Sequence, residues 1–286
     1  MMKRNTIFLL SLLAFMCSDK SEKNITIINP IQINSSESVR NGIDVLIEDY
    51  PNFLQGKAVG LVTNHTGITR HERKNYEVFK ENPNVTLTKI FAPEHGFFGE
   101  ASAGAKVDYD STNEIGTKII SLYGKDRKPT TDMMKDLDVI IYDIQDIGAR
   151  FYTYISTLGL VMEAAGENDI EVIVLDRPNP IGGEIIEGPI LDTTYKSFVG
   201  YYPIPIRYGL TVGELSQMAI KEGWLESNPP HLTIFKMDGW ERKMFFDDTK
   251  LPWIPPSPNI PDLETALIYP GTVSYTHLTL PTTSFV

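Results

Sequence analysis

The sequence predicts an α/β fold: a doubly wound parallel sheet followed by a second, smaller α+β domain that is incomplete. The first observation is a set of short apolar runs at residues 58–63, 87–92, 118–122, 139–143 and 171–176. The second is their composition, because near-continuous Val and Ile runs are typical of strands buried on both faces of a parallel sheet. The third is the spacing between the runs, which leaves room for crossover helices. We therefore expect the doubly wound sheet within residues 41–183.

Two helices are predicted from the spacing of apolar side chains. Residues 154–167 carry apolar residues at helical intervals, and Gly166 marks the end of that pattern. The second helix follows Thr211, with Glu214 three residues further on at the spacing of a capping box. Prolines are dense around this second helix, and the regular β–α pattern stops before it. We therefore predict that residues 184–272 form the smaller, partial auxiliary domain.

Composition excludes several classes of partner and site. The chain has 286 residues, and its 26 Lys+Arg against 37 Asp+Glu give a formal net charge of −11. No basic cluster offsets this charge, so we expect no nucleic-acid partner. A single cysteine excludes a disulfide scaffold and a cysteine-based metal site. No glycine-rich nucleotide fingerprint follows any strand, so no cofactor is predicted.

The first forty residues predict export rather than fold. Residues 1–16 combine a basic start with a short apolar stretch, as a signal peptide does. Cys17 stands where that stretch ends, which resembles the acylated cysteine of a bacterial lipoprotein, and a polar tether follows over residues 17–40. We expect a protein of the periplasm or cell envelope, with a lipid anchor as its membrane contact. The alternative is an ordinary secretory signal that contains an incidental cysteine.

The last residues predict a tail that does not belong to the fold. Residues 273–282 match one reading frame of a transposase adapter used in DNA library preparation. We therefore expect residues 273–286 to be an artefact of cloning or assembly. The alternative is a genuine C-terminal strand, because alternating Thr and Leu is also a β pattern.

Polar side chains follow four of the five predicted strands, at the point where each strand ends. They are Asn64, His65, Glu94, His95, Asp143, Asp146, Asp176, Arg177 and Asn179. The segment after the fourth strand adds Arg150, Tyr152 and Tyr154. Because ligands bind at the carboxyl ends of parallel strands, we expect one pocket lined by these groups. The alternatives are structural: surface carboxylates, helix caps, a local ion pair and a stiffened turn.

Several long motifs follow one another along the chain. They occupy residues 60–67, 91–96, 143–153, 175–183, 197–200, 209–215 and 256–261. Over residues 41–272 the chain thereby resembles the NamZ-type exo-β-N-acetylmuramidases of bacterial peptidoglycan recycling. The resemblance implies a Rossmann-like domain packed on a smaller auxiliary domain. It also implies a glycoside hydrolase that removes terminal β-1,4-linked N-acetylmuramic acid from the non-reducing end of peptidoglycan-derived saccharides.

This activity suggests a role for each candidate. Glycoside hydrolysis needs an acid for the leaving oxygen and usually a second carboxylate. We expect Glu94 to be the acid and His95 to orient it or share its proton. Asp143 or Asp146 is expected to be the second carboxylate. The lactyl carboxylate of muramic acid suits a bidentate arginine, for which Arg150 and Arg207 are the candidates. Phe151, Tyr152 and Tyr154 are expected to stack on the apolar face of the sugar. The remaining residues are expected to bind its polar groups: Asn64, His65, Asp176, Arg177 and Asn179.

The sequence departs from the family pattern at two places, and two other functions are alternatives to the glycosidase. Tyr208 stands where the family is expected to have histidine, so a polar contact there should differ. The family pattern after Thr272 is also missing, and a chain without it would be inactive if that region lines the cleft. One rival is a non-catalytic glycan-binding lipoprotein with the same cleft. The other is a hydrolase with a metal held by His65, His95 and Asp143, although no familiar metal-binding spacing supports it.

Overall fold

The structure is a computed structural model that describes residues 24–31, 38–99 and 115–278, with side chains described as far as Thr272. The predicted signal peptide over residues 1–16 and the candidate lipidation site Cys17 lie outside the described residues. Within the described part of the chain, no helix combines the length and apolar character needed to cross a bilayer.

The core of the fold is one parallel sheet that has seven strands in the described part of the chain. The strands are β1 (Ile25–Ile28), β2 (Ala58–Thr63), β3 (Thr86–Ala92), β4 (Lys118–Ser121), β5 (Val139–Asp143), β6 (Glu171–Leu175) and β7 (Leu232–Phe235). Their order across the sheet is β1-β7-β6-β5-β2-β3-β4. All five apolar runs found in the sequence form strands, and every pairing between neighbours is parallel.

Helices connect and cover the strands. They are α1 (Gly42–Asp49), α2 (Asn75–Glu81), α3 (Thr131–Met134), α4 (Tyr154–Glu167), α5 (Val212–Lys221) and α6 (Leu263–Leu278). The predicted helix over residues 154–167 is α4. The predicted capping box begins α5, where the Thr211 hydroxyl accepts from the Glu214 amide at 3.2 Å. The Glu214 carboxylate in turn accepts from the Thr211 amide at 3.1 Å.

Both faces of the sheet are buried, which explains why the strands read as continuous apolar runs. Alternate residues such as Val62, Tyr142 and Val174 point to one face and pack with α4 and α5. Their neighbours, such as Leu61 and Ile141, point to the other face and pack with α1. Because successive side chains of a strand alternate between faces, each strand needs apolar residues at every position. The doubly wound, Rossmann-like α/β fold is confirmed.

The sheet extends beyond the predicted range of residues 41–183. Strand β7 comes from the predicted auxiliary domain and pairs with β6, with Leu232 opposite Val172. Strand β1 comes from the predicted tether and pairs with β7, with Ile25 opposite Leu232. Each of these strands has four residues and lies outside the regular β–α pattern that marks the other five, so the spacing of the sequence does not reveal them. The division into two domains stays a prediction.

The C-terminal helix crosses the boundary predicted for the tail. The backbone of α6 is helical from Leu263 to Leu278, so it continues past residue 272. Residues 279–286 lie outside the described residues. The origin of the tail stays a prediction.

The order of the strands locates the place where ligands usually bind. From β2 the chain builds β3 and β4 on one side, then returns to add β5 on the other side of β2. Open α/β sheets commonly bind ligands at such a reversal, outside the carboxyl ends of the two central strands. In this chain those ends lead into Asn64 after β2 and Ile144 after β5.

Candidate functional site

A cavity of about 400 Å³ opens at the carboxyl edge of the sheet, beside the loop that follows β3. Three separate parts of the chain form most of it: the loop after β3, the segment between β5 and α4, and the region that leads into α6. Its lining residues are Glu94, His95, Phe151, Tyr152, Thr153, Val199, Ser257, Asn259, Ile260 and Tyr269. The pocket therefore lies at the predicted edge of the sheet.

Of the lining residues within the described part of the chain, Glu94 is the one that carries a carboxylate. It follows β3 in a tight turn, where the Gly96 amide donates to the Pro93 carbonyl oxygen at 3.1 Å. The Thr153 hydroxyl donates to Glu94 Oε2 at 2.6 Å, and the Glu94 side chain is 9% exposed. Burial raises the pKa of Tyr123, and the charge and hydrogen bond of Glu94 raise it further. The Glu94 carboxylate is thus held in a fixed position at the cavity wall.

His95 occupies the same turn in a conformation that few side chains adopt. Its φ angle is +68°, in the left-handed region, and the next residue, Gly96, has a φ of +76°. Non-glycine residues in this region cost energy and often mark functional sites, with histidine among the better tolerated. The imidazole ring stacks near Tyr152, with the ring centroids 6.4 Å apart.

Aromatic rings form one wall of the cavity. Tyr152 packs edge-on against Tyr154 at 4.8 Å and against Tyr269 at 6.1 Å between centroids. Phe151 meets Tyr269 edge-on at 5.4 Å. A cluster of rings of this kind offers a flat apolar surface with polar edges, which suits the apolar face of a sugar.

Behind the wall, a chain of hydrogen bonds attaches the segment before α6 to the end of β2. Asn64 Nδ2 donates to the Tyr154 hydroxyl at 2.8 Å, and that hydroxyl donates to the Pro256 carbonyl oxygen at 2.7 Å. His65 Nε2 lies 2.7 Å from the Pro255 carbonyl oxygen, so this nitrogen carries the proton. Burial lowers the pKa of His65, which favours this neutral form.

Asp143 lies beneath the cavity rather than in it. Its side chain is fully buried, Arg177 Nε donates to Oδ1 at 2.6 Å, and Asn75 Nδ2 donates to Oδ2 at 2.8 Å. Arg177 also donates through Nη2 to the Ile68 carbonyl oxygen at 2.8 Å. This ion pair is part of the buried polar packing at the reversal between β2 and β5. The structure does not bring Asp143 or Arg177 to the cavity lining.

Asp146 is also directed into the protein. Its Oδ2 accepts from the Gly148 amide at 2.7 Å and from the Tyr208 hydroxyl. Burial raises the pKa of Asp146 to about 6, an effect that the two hydrogen bonds oppose. Tyr208, the residue found where histidine was expected, therefore supplies a buried donor to this carboxylate.

Two further predicted site residues hold the β6 loop against α5. Asp176 accepts from the Gly213 amide and from the Thr211 hydroxyl, both at 2.8 Å, so it caps the helix. Burial raises its pKa to about 7. Asn179 Nδ2 donates to the Leu210 carbonyl oxygen at 2.9 Å. These contacts leave both side chains in structural positions, away from the cavity lining.

The two arginines predicted to bind a carboxylate are engaged with nearby loops. Arg150 Nη1 donates to the carbonyl oxygens of Pro189, at 2.7 Å, and Ile204. Arg207 Nη1 lies 3.2 Å from a carboxylate oxygen of Glu187. Neither arginine lines the cavity.

The structure brings together four of the predicted site residues at the cavity: Glu94, His95, Phe151 and Tyr152. The other predicted residues form hydrogen bonds and ion pairs with buried groups or neighbouring loops and do not line the cavity. Sequence reasoning missed Thr153, Val199, Ser257, Asn259, Ile260 and Tyr269 as lining residues. Most of them stand inside motifs quoted above, so those motifs were a usable signal. Within the described residues, no group of three His, Cys, Asp or Glu side chains is placed to hold a metal ion.

Comparison with known proteins gives consistent matches. A family model described as "Exo-beta-N-acetylmuramidase NamZ, N-terminal" matches residues 59–264. The peptidoglycan beta-N-acetylmuramidase NamZ of Bacillus subtilis (strain 168) is 48% identical over 241 residues, which cover 84% of this chain and 58% of that protein.

Two solved structures of DUF1343 family proteins from Bacteroides fragilis NCTC 9343 are also similar. One has a TM-score of 0.79 and 47% identity, over 85% of this chain and 62% of its own. The other has a TM-score of 0.70 and 38% identity, over 82% of this chain and 60% of its own. The chain therefore spans about three fifths of the length of the proteins it matches.

Proposed function

The chain belongs to the NamZ family, and from that premise we propose that it is an exo-β-N-acetylmuramidase. It would release terminal β-1,4-linked N-acetylmuramic acid from the non-reducing end of peptidoglycan fragments. The observation that carries this proposal is the position of Glu94, a carboxyl group fixed at the wall of a sugar-sized cavity that aromatic rings also line.

Glu94 is the proton donor in this proposal. Breaking the glycosidic bond leaves negative charge on the departing oxygen, and a carboxylic acid within hydrogen-bond reach supplies the proton that neutralises it. The Thr153 hydroxyl fixes Oε2 at 2.6 Å, so the direction of the carboxyl group is set before substrate binds. His95, in the same turn, is positioned to orient the acid or share its proton.

The aromatic wall would bind the sugar itself. Phe151, Tyr152 and Tyr269 offer ring surface for the apolar face of the pyranose, while Ser257 and Asn259 supply polar groups at the cavity wall. Such a combination of stacking and a few polar contacts is typical of small-ligand sites.

Asp143 and Asp146, the sequence candidates for the second carboxylate role, are both held by hydrogen bonds inside the protein. Asp143 is held by Arg177 and Asn75, and Asp146 by Gly148 and Tyr208. Because neither lines the cavity, Glu94 is the one carboxylate of these three to which we assign a reacting role.

Turnover of a chromogenic β-N-acetylmuramide, measured beside the affinity for free N-acetylmuramic acid, tests the proposal. The B. subtilis relative serves as the positive control for the assay. We expect this chain to bind the sugar and to release it from the chromogen. Binding without release would contradict the proposal and favour the glycan-binding lipoprotein.

We also propose that the protein is exported to the cell envelope through residues 1–16 and anchored through Cys17. Cell fractionation of the wild-type chain and of Cys17→Ser tests this. We expect the wild-type chain in the membrane fraction and the variant in the soluble envelope fraction. Identical distribution of the two would refute the anchor, and retention of both in the cytoplasm would refute export.

A further inference from the structure

Beside the Glu94 cavity lies a second concavity of about 330 Å³, here called the Arg127 groove, in which Arg127, Lys196 and Phe198 take part. Phe198 precedes Val199, which lines the Glu94 cavity. Tyr123 also joins the two, because its hydroxyl side interacts with Glu94 and its ring lies 6.1 Å from the Phe198 ring. The groove and the cavity therefore meet at a wall formed by Tyr123, Phe198 and Val199.

Arg127 is held at this wall by aromatic rings rather than by a carboxylate. Its guanidinium carbon lies 4.4 Å from the Phe198 ring centroid and 5.5 Å from that of Tyr123. The side chain is exposed, and no carboxylate in the described ranges lies within ion-pair distance of it. Rings that face the guanidinium plane leave its N–H edge able to bind an anion.

The neighbouring cation of the groove differs in this respect. Lys196 Nζ lies 2.8 Å from a carboxylate oxygen of Glu226 and 4.3 Å from the Tyr201 ring centroid. Its charge already has a partner. Of these two cations, Arg127 is therefore the one that can bind a carboxylate without breaking an existing ion pair.

An anionic sugar would need such a cation near the Glu94 cavity. Muramic acid differs from glucosamine by a lactyl ether that ends in a carboxylate, and the chain carries a formal net charge of −11. Among the residues that the structure describes, the cavity lining contains no Lys or Arg. The guanidinium groups of Arg150, Arg177 and Arg207 are committed to backbone carbonyls and buried or loop carboxylates.

We propose that Arg127 binds the carboxylate of the sugar seated in the Glu94 cavity and thereby selects muramic acid over glucosamine. This inference rests on the proposed function, since it takes the occupant of the cavity to be that sugar. Its chemistry is a charge-assisted, bidentate contact between a planar guanidinium and a carboxylate. Arg127 is a specificity residue and takes no part in bond breaking.

Equilibrium binding of free N-acetylmuramic acid and of N-acetylglucosamine, measured by calorimetry, tests the assignment without turnover. Arg127→Ala should weaken binding of the muramic sugar by about tenfold, as expected for a partly solvent-screened ion pair, and leave that of the glucosamine sugar unchanged. Arg127→Lys should give an intermediate loss because it keeps the charge but not the planar fork. Lys196→Ala, which removes the other cation of the groove, is the matched control and should keep the wild-type ratio. Arg150→Lys tests the rival arginine, and its ratio should also stay that of the wild type because Arg150 is engaged with backbone carbonyls.

An unchanged ratio of the two affinities in Arg127→Ala would overturn the inference, and so would an equal loss for both sugars. A changed ratio in Arg150→Lys with none in Arg127→Ala would move the carboxylate contact to Arg150. If the wild-type chain binds neither sugar, the proposed function fails and this inference fails with it. The two failures are therefore distinguishable.

Discussion

Replacing Asp146 by asparagine should change how the stability of the chain depends on pH. The folded state holds this carboxyl where burial raises its pKa to about 6 from an ordinary 3.8. A carboxyl with a raised pKa in the folded state binds its proton more tightly when folded than when unfolded. Its stabilising contribution is therefore complete below the unfolded pKa and is lost as the pH rises through the folded pKa.

The size of the effect follows from these two values. The interval from 3.8 to about 6 corresponds to roughly 3 kcal/mol of unfolding free energy. About 2 kcal/mol of this free energy is lost between about pH 4.5 and pH 8. Asparagine cannot ionise, so the free energy of unfolding of Asp146→Asn relative to wild type should rise by that amount across the interval. The cost of the unpartnered amide group is the same at every pH and cancels.

Urea unfolding followed by tryptophan fluorescence at several pH values measures this difference. The matched control is Asp192→Asn, because Asp192 is exposed and hydrogen bonds from Thr194 lower its pKa. That variant should show no trend over the same interval. Parallel stability curves for wild type and Asp146→Asn would show that Asp146 is ionised throughout, and would refute the claim that burial raises its pKa.

Three further substitutions test the site and its support. Thr153→Val should lower kcat about tenfold or more, because the hydrogen bond that orients the Glu94 carboxyl is lost, whereas Thr153→Ser should keep the wild-type rate. A wild-type kcat in Thr153→Val would contradict this role. Arg177→Met should cost roughly 3–5 kcal/mol in urea unfolding, because Asp143 is left buried without its cation; a loss below about 1 kcal/mol would show that the pair is not needed. Tyr269→Ala should weaken binding of N-acetylmuramic acid by about tenfold through lost ring contact, and Tyr269→Phe should not; equal affinities would exclude Tyr269 from the sugar site.

The sequence predicts most of the sheet because each of its longer strands carries its own signal. Residues 58–63 and 139–143 are apolar throughout most of their length and coincide with β2 and β5. Strands β1 and β7 have four residues each, and their place in the sheet depends on pairing with β6 and with each other. Such pairing joins residues far apart in the chain, so no local pattern announces it.

The orientation of the candidate side chains likewise depends on residues that are distant in sequence. Position at the end of a strand places Glu94, Asp143 and Asp176 at one edge of the sheet, which the sequence shows. Whether each side chain faces the cavity or the interior depends on distant partners. Arg177 binds Asp143, and Thr211 with Gly213 binds Asp176, so only Glu94 among these three lines the cavity.

Tyr269 lines the cavity although the sequence did not predict it as a site residue. It lies on α6, far along the chain from Phe151 and Tyr152, and meets both through tertiary packing. Its immediate sequence holds no catalytic or binding signal. Only the packing of α6 over the carboxyl edge of the sheet assigns it to the cavity wall.

Proton donation from Glu94 to the leaving oxygen is tested by Glu94→Gln with two classes of substrate. Glutamine keeps the shape of the side chain but cannot supply a proton. Hydrolysis of a natural β-1,4-linked fragment should fall by roughly 10²–10⁴, while an activated aryl β-N-acetylmuramide, whose leaving group needs little protonation, should lose much less. Unchanged affinity for free N-acetylmuramic acid would show that the cavity is intact. If the variant keeps more than about a tenth of its activity on the natural fragment, Glu94 is not the acid.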